Sequence, residues 1–175
     1  DLQEPLRMVT SYLQLVEKRY KDQLDADAEE FIGYAVDGAA RMKRMINDLL
    51  AYSRVTTRGQ PLEPTKAESA LAHALSNLEV VIKDNNALIT QDPLPIVMAD
   101  GTQLMLVFQN LIENAIKFHA DRQPHIHISA EHREDEWLFS VQDNGIGIAP
   151  EFSERVFAIF SRLHPHTKYP GTGIG

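Results

Sequence analysis

Asn110, Asn114 and Lys117 stand at successive turns of one apolar stretch that runs from Leu104 to Phe118. Leu104, Val107, Phe108, Leu111, Ala115 and Phe118 trace a helical apolar stripe. The two asparagines and the lysine form a second stripe, offset from Leu111 by about 60–120° at roughly 100° per residue. Asn is a poor helix-interior residue, and polar groups facing inward need partners. Amide oxygens are hard ligands suited to Mg²⁺, and an ammonium neutralises phosphate. The stripe therefore fits a metal–phosphate group. It also fits the polar flank of an amphipathic helix.

The second chemical stretch is Asp143-Asn144-Gly145-Ile146-Gly147-Ile148. It follows Glu136 to Gln142, where Trp137, Phe139 and Val141 alternate as on a half-buried strand. It precedes Ala149-Pro150-Glu151, a helix start with Pro in the first turn. The expected order is strand, glycine loop, helix. Two glycines let backbone approach a flat ligand with no Cβ between. Asp143, at the strand's end, can accept a hydrogen bond from an exocyclic amine. Asn-Gly is equally a turn signal.

These residues need elements to hold them. The 175 residues suffice for one domain or two small ones. A hydrophobic share of 43% is that of a globular chain. The net charge of −8 argues against nucleic acid as the main partner. There is no cysteine, hence no disulfide framework and no thiolate metal site. No apolar run approaches the roughly 18 residues of a membrane span, and no signal peptide is present. A cytoplasmic domain without direct membrane contact is expected. The chain starts in helical phase at Asp1 and stops within a glycine-rich motif at Gly175, so it reads as a piece of a longer protein.

Leu2, Leu6, Val9, Leu13, Val16 and Tyr20 repeat in steps of four and three, as do Ala28, Ile32, Ala35, Ala39, Met42, Ile46, Leu49 and Ser53. Two heptad helices joined by a short turn form an antiparallel hairpin over residues 1–54. One hairpin cannot bury such stripes alone, so a homodimeric four-helix bundle is expected. Pro5 should bend or restart the first helix. Asp27 and Glu30 could form a capping box. Val55 to Lys66 lacks periodicity and reads as linker, the linker proper being residues 55–61. Lys66 to about Asp84 reads as one amphipathic helix. Ala87 to Gln91, Ile96 to Met98 and His125 to His132 read as strands. Asp100-Gly101 introduces the helix of the two asparagines. Residues 62–175 thus form an α+β two-layer sandwich with a mainly hairpin-connected sheet.

Taken together, these stretches resemble the catalytic core of sensor histidine kinases. The family's N box resembles Asn110-Leu-Ile-Glu-Asn114-Ala-Ile-Lys117-Phe118, and its first glycine box Asp143-Asn-Gly145-Ile-Gly147. Its phenylalanine box resembles Phe157-Ala-Ile-Phe160-Ser-Arg162, and its second glycine box Gly171-Thr-Gly173-Ile-Gly175. The ends of the chain also look similar to kinases attached to phytochrome-like photoreceptors. The resemblance implies the histidine-kinase/gyrase ATPase fold, with ATP or ADP and Mg²⁺ as ligands. It implies that Asp143 accepts from the adenine amine while Gly145 and Gly147 make room for the base, with Ile148 beside them. Asn114 would hold Mg²⁺, supported by Asn110. Lys117 would contact phosphate, and Phe118 would flank the base. Ile159 to Gly171 would form a lid, with Arg162 toward the γ-phosphate. Gly171, Thr172 and Gly173 would turn backbone N–H groups to the phosphates.

The N-terminal residues Asp1-Leu-Gln-Glu-Pro-Leu-Arg7 match the family's phosphoacceptor box after its His. The resemblance places that His immediately before Asp1, and Asp1 as the acid that tunes it. It further implies a homodimer, a response-regulator receiver domain and an upstream sensor domain as partners. Glu4 stands where family members with phosphatase activity often carry Thr or Asn. Two other functions fit parts of the sequence. A gyrase- or mismatch-repair-type ATP hydrolase would place a Glu general base where Asn110 stands, and Glu113 does not substitute for it. A non-catalytic dimeric docking module is the other. His125 and His127 share a strand face and could suggest a metal, but alternation on an exposed strand explains them better.

Overall fold

A computed structural model describes residues 2–57 and 61–158, with the backbone alone described for residues 22, 51, 52 and 54–57. Asp1, Arg162, Gly171, Thr172, Gly173 and the expected lid from Ile159 lie outside the described residues. The chain divides into two units.

The first unit is the expected hairpin. Helix α1 spans Gln3–Tyr20 and helix α2 spans Ala26–Thr57, with a 3-10 turn at Lys21–Gln23 between them. Pro5 does not interrupt α1. It lies in the first turn, where backbone N–H groups have no intrahelical acceptor and proline costs little. The acid that caps α2 is Asp25 rather than Asp27, since Asp25 Oδ1 accepts from Ala28 N at 2.8 Å. Glu30 instead accepts from the Tyr34 hydroxyl, which pushes the Tyr34 pKa up. Gln3 Nε2 donates to Asn47 Oδ1 at 2.6 Å and ties the start of α1 to α2. Leu6, Leu13, Ala28, Ile32 and Ile46 of the heptad series are half-buried, and Ala39 is buried. Leu2, Val9, Val16, Tyr20, Met42 and Leu49 of the same series stay exposed. One hairpin thus uses only part of its apolar stripes.

The second unit joins helices to two small sheets. Strand β1 spans Glu63–Lys66, helix α3 Ala67–Asn77, helix α4 Glu79–Asp84, strand β2 Leu88–Gln91 and strand β3 Ile96–Ala99. Helix α5 spans Gly101–Lys117, strand β4 His125–Arg133 and strand β5 Glu136–Asp143. The stretch read as linker is therefore helix as far as Thr57 and strand from Glu63. Strand β1 carries Pro64 and no apolar alternation, so only its antiparallel partner β3 draws it into a sheet. The single helix expected over Lys66 to Asp84 divides at Leu78, which is buried, beside Asn77, whose Nδ2 donates to Gln109 Oε1 of α5 at 3.0 Å.

The larger sheet has the order β2-β4-β5. Among the described residues only β4 and β5 make a hairpin; β2 and β4 are parallel, which corrects the expected mainly hairpin-connected sheet. A parallel pair needs a long crossover, and β3 with α5 supplies it. Ile126 and Ile128 of β4 pack with Leu71, Ala74 and Leu78 and with Phe108, Ile112 and Ile116 in the core. Phe139 and Val141 of β5 pack against this cluster from the same sheet face. The result is a helix layer on a sheet layer.

Candidate functional site

Asp100 starts the element that carries the asparagines. Its Oδ1 accepts from Thr102 N at 2.9 Å and Gln103 N at 3.2 Å, satisfying two amides that the first helical turn leaves open. Helix α5 then buries Phe108, Ile112, Ala115 and Ile116. That core face differs from the expected stripe, because Val107 and Leu111 are 51% and 45% exposed. Sheet contact, not the span of apolar residues, selects the face. Asn110 is exposed and Asn114 half-buried, on the side away from the core residues. Lys117, in the last turn, places its ammonium 4.7 Å from the centre of the Phe118 ring.

Strand pairing aims Asp143 at this helix layer. Asp143 pairs with Ile126, Val141 with Ile128 and Phe139 with Ala130. Alternate residues share a face, so Asp143 continues the side on which Val141 and Phe139 meet the core. The loop beyond turns at once. Gly145 N donates to Asp143 Oδ1 at 2.7 Å, and Ile146 N donates to Phe118 O at 3.0 Å. The second bond joins the glycine loop to the end of α5. A Cβ on Gly145 would lie 2.7 Å from both Asp143 Oδ1 and Phe118 O, so only glycine allows this closure. Gly147 has φ +69°, the left-handed region that glycine adopts readily. Ile148 is exposed beyond it.

The fold thus brings Asp143, Gly145, Lys117 and Phe118 to one end of α5. Asn114 is a turn back, its carbonyl accepting from Phe118 N at 2.8 Å. Asn110 lies about 12 Å along the axis from Phe118, at 1.5 Å per residue. After the loop, Pro150–Phe152 and Arg155–Phe157 form 3-10 turns instead of the expected helix, and Phe157 is 88% exposed.

One residue of the site escaped sequence reasoning. Asn144 Oδ1 accepts from His125 N, and its Nδ2 donates to Gln123 O, both at 2.9 Å. The Asn-Gly pair signalled a turn, but not this bridge across 19 and 21 positions. His127, by contrast, is engaged on both ring nitrogens, with Thr90 Oγ1 at 2.9 Å and Asp92 Oδ2 at 3.4 Å. Among the described residues no group of three or more His, Asp or Glu could hold a metal ion. Within the segment that resembles the phosphoacceptor box, Glu4 receives two hydrogen bonds from the Arg7 guanidinium. Those bonds and the attached charge hold the Glu4 carboxyl below its ordinary pKa. No helix among the described residues is long and apolar enough to cross a membrane.

Comparison with known proteins bears on the fold and the family. Residues 99–175 match the family described as histidine kinase-, DNA gyrase B-, and HSP90-like ATPase. The whole chain is 59% identical to cyanobacterial phytochrome A of Nostoc sp. and 50% identical to the phytochrome-like protein Cph1 of Synechocystis sp.. It spans 23% of the length of each. The fold resembles that of full-length ShkA in complex with AMPPNP, with a TM-score of 0.66 at 23% identity over 99% of this chain and 36% of that one. It also resembles the histidine kinase ThkA in complex with the response regulator protein TrrA, with a TM-score of 0.61 at 22% identity over 94% of this chain and 49% of that one. A helical hairpin, an ATPase-type α/β unit and similarity along all of this chain to a part of these phytochromes lead to one assignment: the chain belongs to the sensor histidine kinase catalytic cores.

Proposed function

We propose that this chain binds ATP with Mg²⁺, directs its γ-phosphoryl group to a His immediately before Asp1, and serves transfer onward to an Asp of a response-regulator receiver domain. The observation that carries this is the closure of the Asp143–Gly147 loop on the end of α5 through Ile146 N and Phe118 O. It brings the strand end that carries a carboxylate acceptor to the helix end that carries a cation and an aromatic ring. The residues present fit the ligand. Asp143 would accept from the base amine, and Asn114 with Asn110 would offer amide oxygens to Mg²⁺. Lys117 would neutralise phosphate, and Phe118 would flank the base. Gly147 and Ile148 continue the loop. Arg162, Gly171, Thr172 and Gly173 are proposed for the phosphates on the family motif alone. Bound Mg²⁺-ATP supplies the phosphoryl group, and its transfer depends mainly on positioning and charge neutralisation.

Asp1 would accept the N–H of the neighbouring imidazole, fixing its tautomer and leaving the other nitrogen's lone pair free to attack. Asn110 has no carboxylate with which to take a proton from water, so the hydrolase alternative lacks its base. The exposed remainder of the heptad stripes supports a homodimer through the hairpin. A sensor domain upstream and a cytoplasmic setting, where ATP is supplied, complete the proposal.

The test compares this chain with one extended upstream through the preceding residue. Each is incubated with labelled ATP and Mg²⁺ and then treated with acid. Acid-labile label on the extended chain alone is expected, because phosphohistidine is acid-labile. Acid-labile label on the shorter chain would identify another histidine as the acceptor. ATP binding with no label on either would favour the docking module.

A further inference from the structure

We infer that Asn144 is a positioning residue, whose side-chain amide ends the β4–β5 ladder and so holds the Asp143 carboxylate where it reads the exocyclic amine of a purine base. This rests on the proposed role of Asp143. The antiparallel ladder runs from Arg133↔Glu136 to Ile126↔Asp143, so its next pair would be His125 with Asn144. There the backbone pattern stops and a side chain replaces it. His125 N donates to Asn144 Oδ1, and Asn144 Nδ2 donates to Gln123 O, each at 2.9 Å. A carboxamide carries the same donor and acceptor as a peptide unit, so the strand ends without stranding either group.

The backbone thus released can leave the sheet plane. Gly145 N turns back to Asp143 Oδ1 at 2.7 Å, and Ile146 N reaches Phe118 O at 3.0 Å. With Oδ1 held by that amide, Oδ2 is the oxygen that would meet a ligand's amine. The segment that Asn144 grips is itself anchored. Gln123 Nε2 donates to Asn86 O at 2.6 Å, and Leu88 N donates to Pro124 O at 2.8 Å. Asn144 therefore ties the aspartate's strand end to the start of β2. Asn144→Ala removes both bonds. Asn144→Asp keeps the acceptor for His125 N but sets an oxygen against the Gln123 carbonyl.

The test is calorimetric titration of ATP and of inosine triphosphate, both with Mg²⁺, into the full-length protein that carries this chain. Inosine triphosphate has a carbonyl in place of the exocyclic amine. A hydrogen bond to a charged acceptor predicts a wild-type preference for ATP of about 10- to 100-fold. Asn144→Ala and Asn144→Asp are each expected to reduce that preference by about tenfold, toward the value of Asp143→Asn, with thermal melting retained. An unchanged preference, even with both affinities equally lowered, would overturn the inference. So would loss of folding in both variants, which would make Asn144 structural only. A wild type without preference would overturn the role of Asp143 itself, and the inference with it.

Discussion

Asp143 and Gly145 act as one unit, since the glycine's amide holds the aspartate's oxygen and its missing side chain lets the loop meet Phe118. The two residues should nevertheless fail differently. Asp143→Asn changes the charge on an exposed acceptor and leaves the core untouched. It is expected to weaken ADP binding by about 10- to 100-fold while the melting temperature hardly moves, as calorimetry and thermal denaturation would record. Gly145→Ala must push apart two oxygens now 2.7 Å from the added carbon. Destabilisation of about 1–3 kcal/mol in urea unfolding of the second unit is expected, as for other forced overpacking. Equal stability would show that the loop stands off from α5 in solution.

At the scale of elements, burial separates residues that the heptad pattern treats alike. Ile46 and Leu49 belong to one series, yet Ile46 is half-buried in the hairpin and Leu49 is 45% exposed. Ile46→Ala should destabilise the hairpin at every concentration by about 2 kcal/mol, the low end for such a truncation. Leu49→Ala should leave a single hairpin's helicity intact and act on association. Sedimentation at micromolar concentration is expected to show a dimer for the wild type and a shift toward monomer for Leu49→Ala. A wild-type monomer with folded helices would remove the bundle.

Over the whole molecule, each unit holds itself together. The hairpin has its own bond from Gln3 to Asn47, and the second unit has a continuous core from Ala70 to Ile128. Residues from 62 onward, carried through the natural C-terminal sequence, are therefore expected to fold and to bind Mg²⁺-ADP without the hairpin. Calorimetry should give an affinity close to that of the full-length protein. A large loss would mean that the helical unit contributes to the nucleotide site.

Several features were determined by the sequence alone. Heptad steps specify two long helices because a regular apolar stripe has little other use in an antiparallel pair. Trp137, Phe139 and Val141 place Asp143 at a strand's end because side chains alternate with period two. Spacing along one element is a local property, so the stretches resembling the family's N box and first glycine box were legible too. Other features depended on partners distant in the chain. Val107 and Leu111 fit a helical stripe as well as Ile112 and Ile116 do, and only the sheet decides which are buried. Strand β1 exists because β3 pairs with it, and β2 runs parallel to β4 because α5 crosses between them. Asn144 looked like half of a turn until folding brought Gln123 and His125 to its amide. Hydrogen-bond partners and buried faces are set by what arrives from elsewhere in the chain, and spacing along one segment carries no record of that.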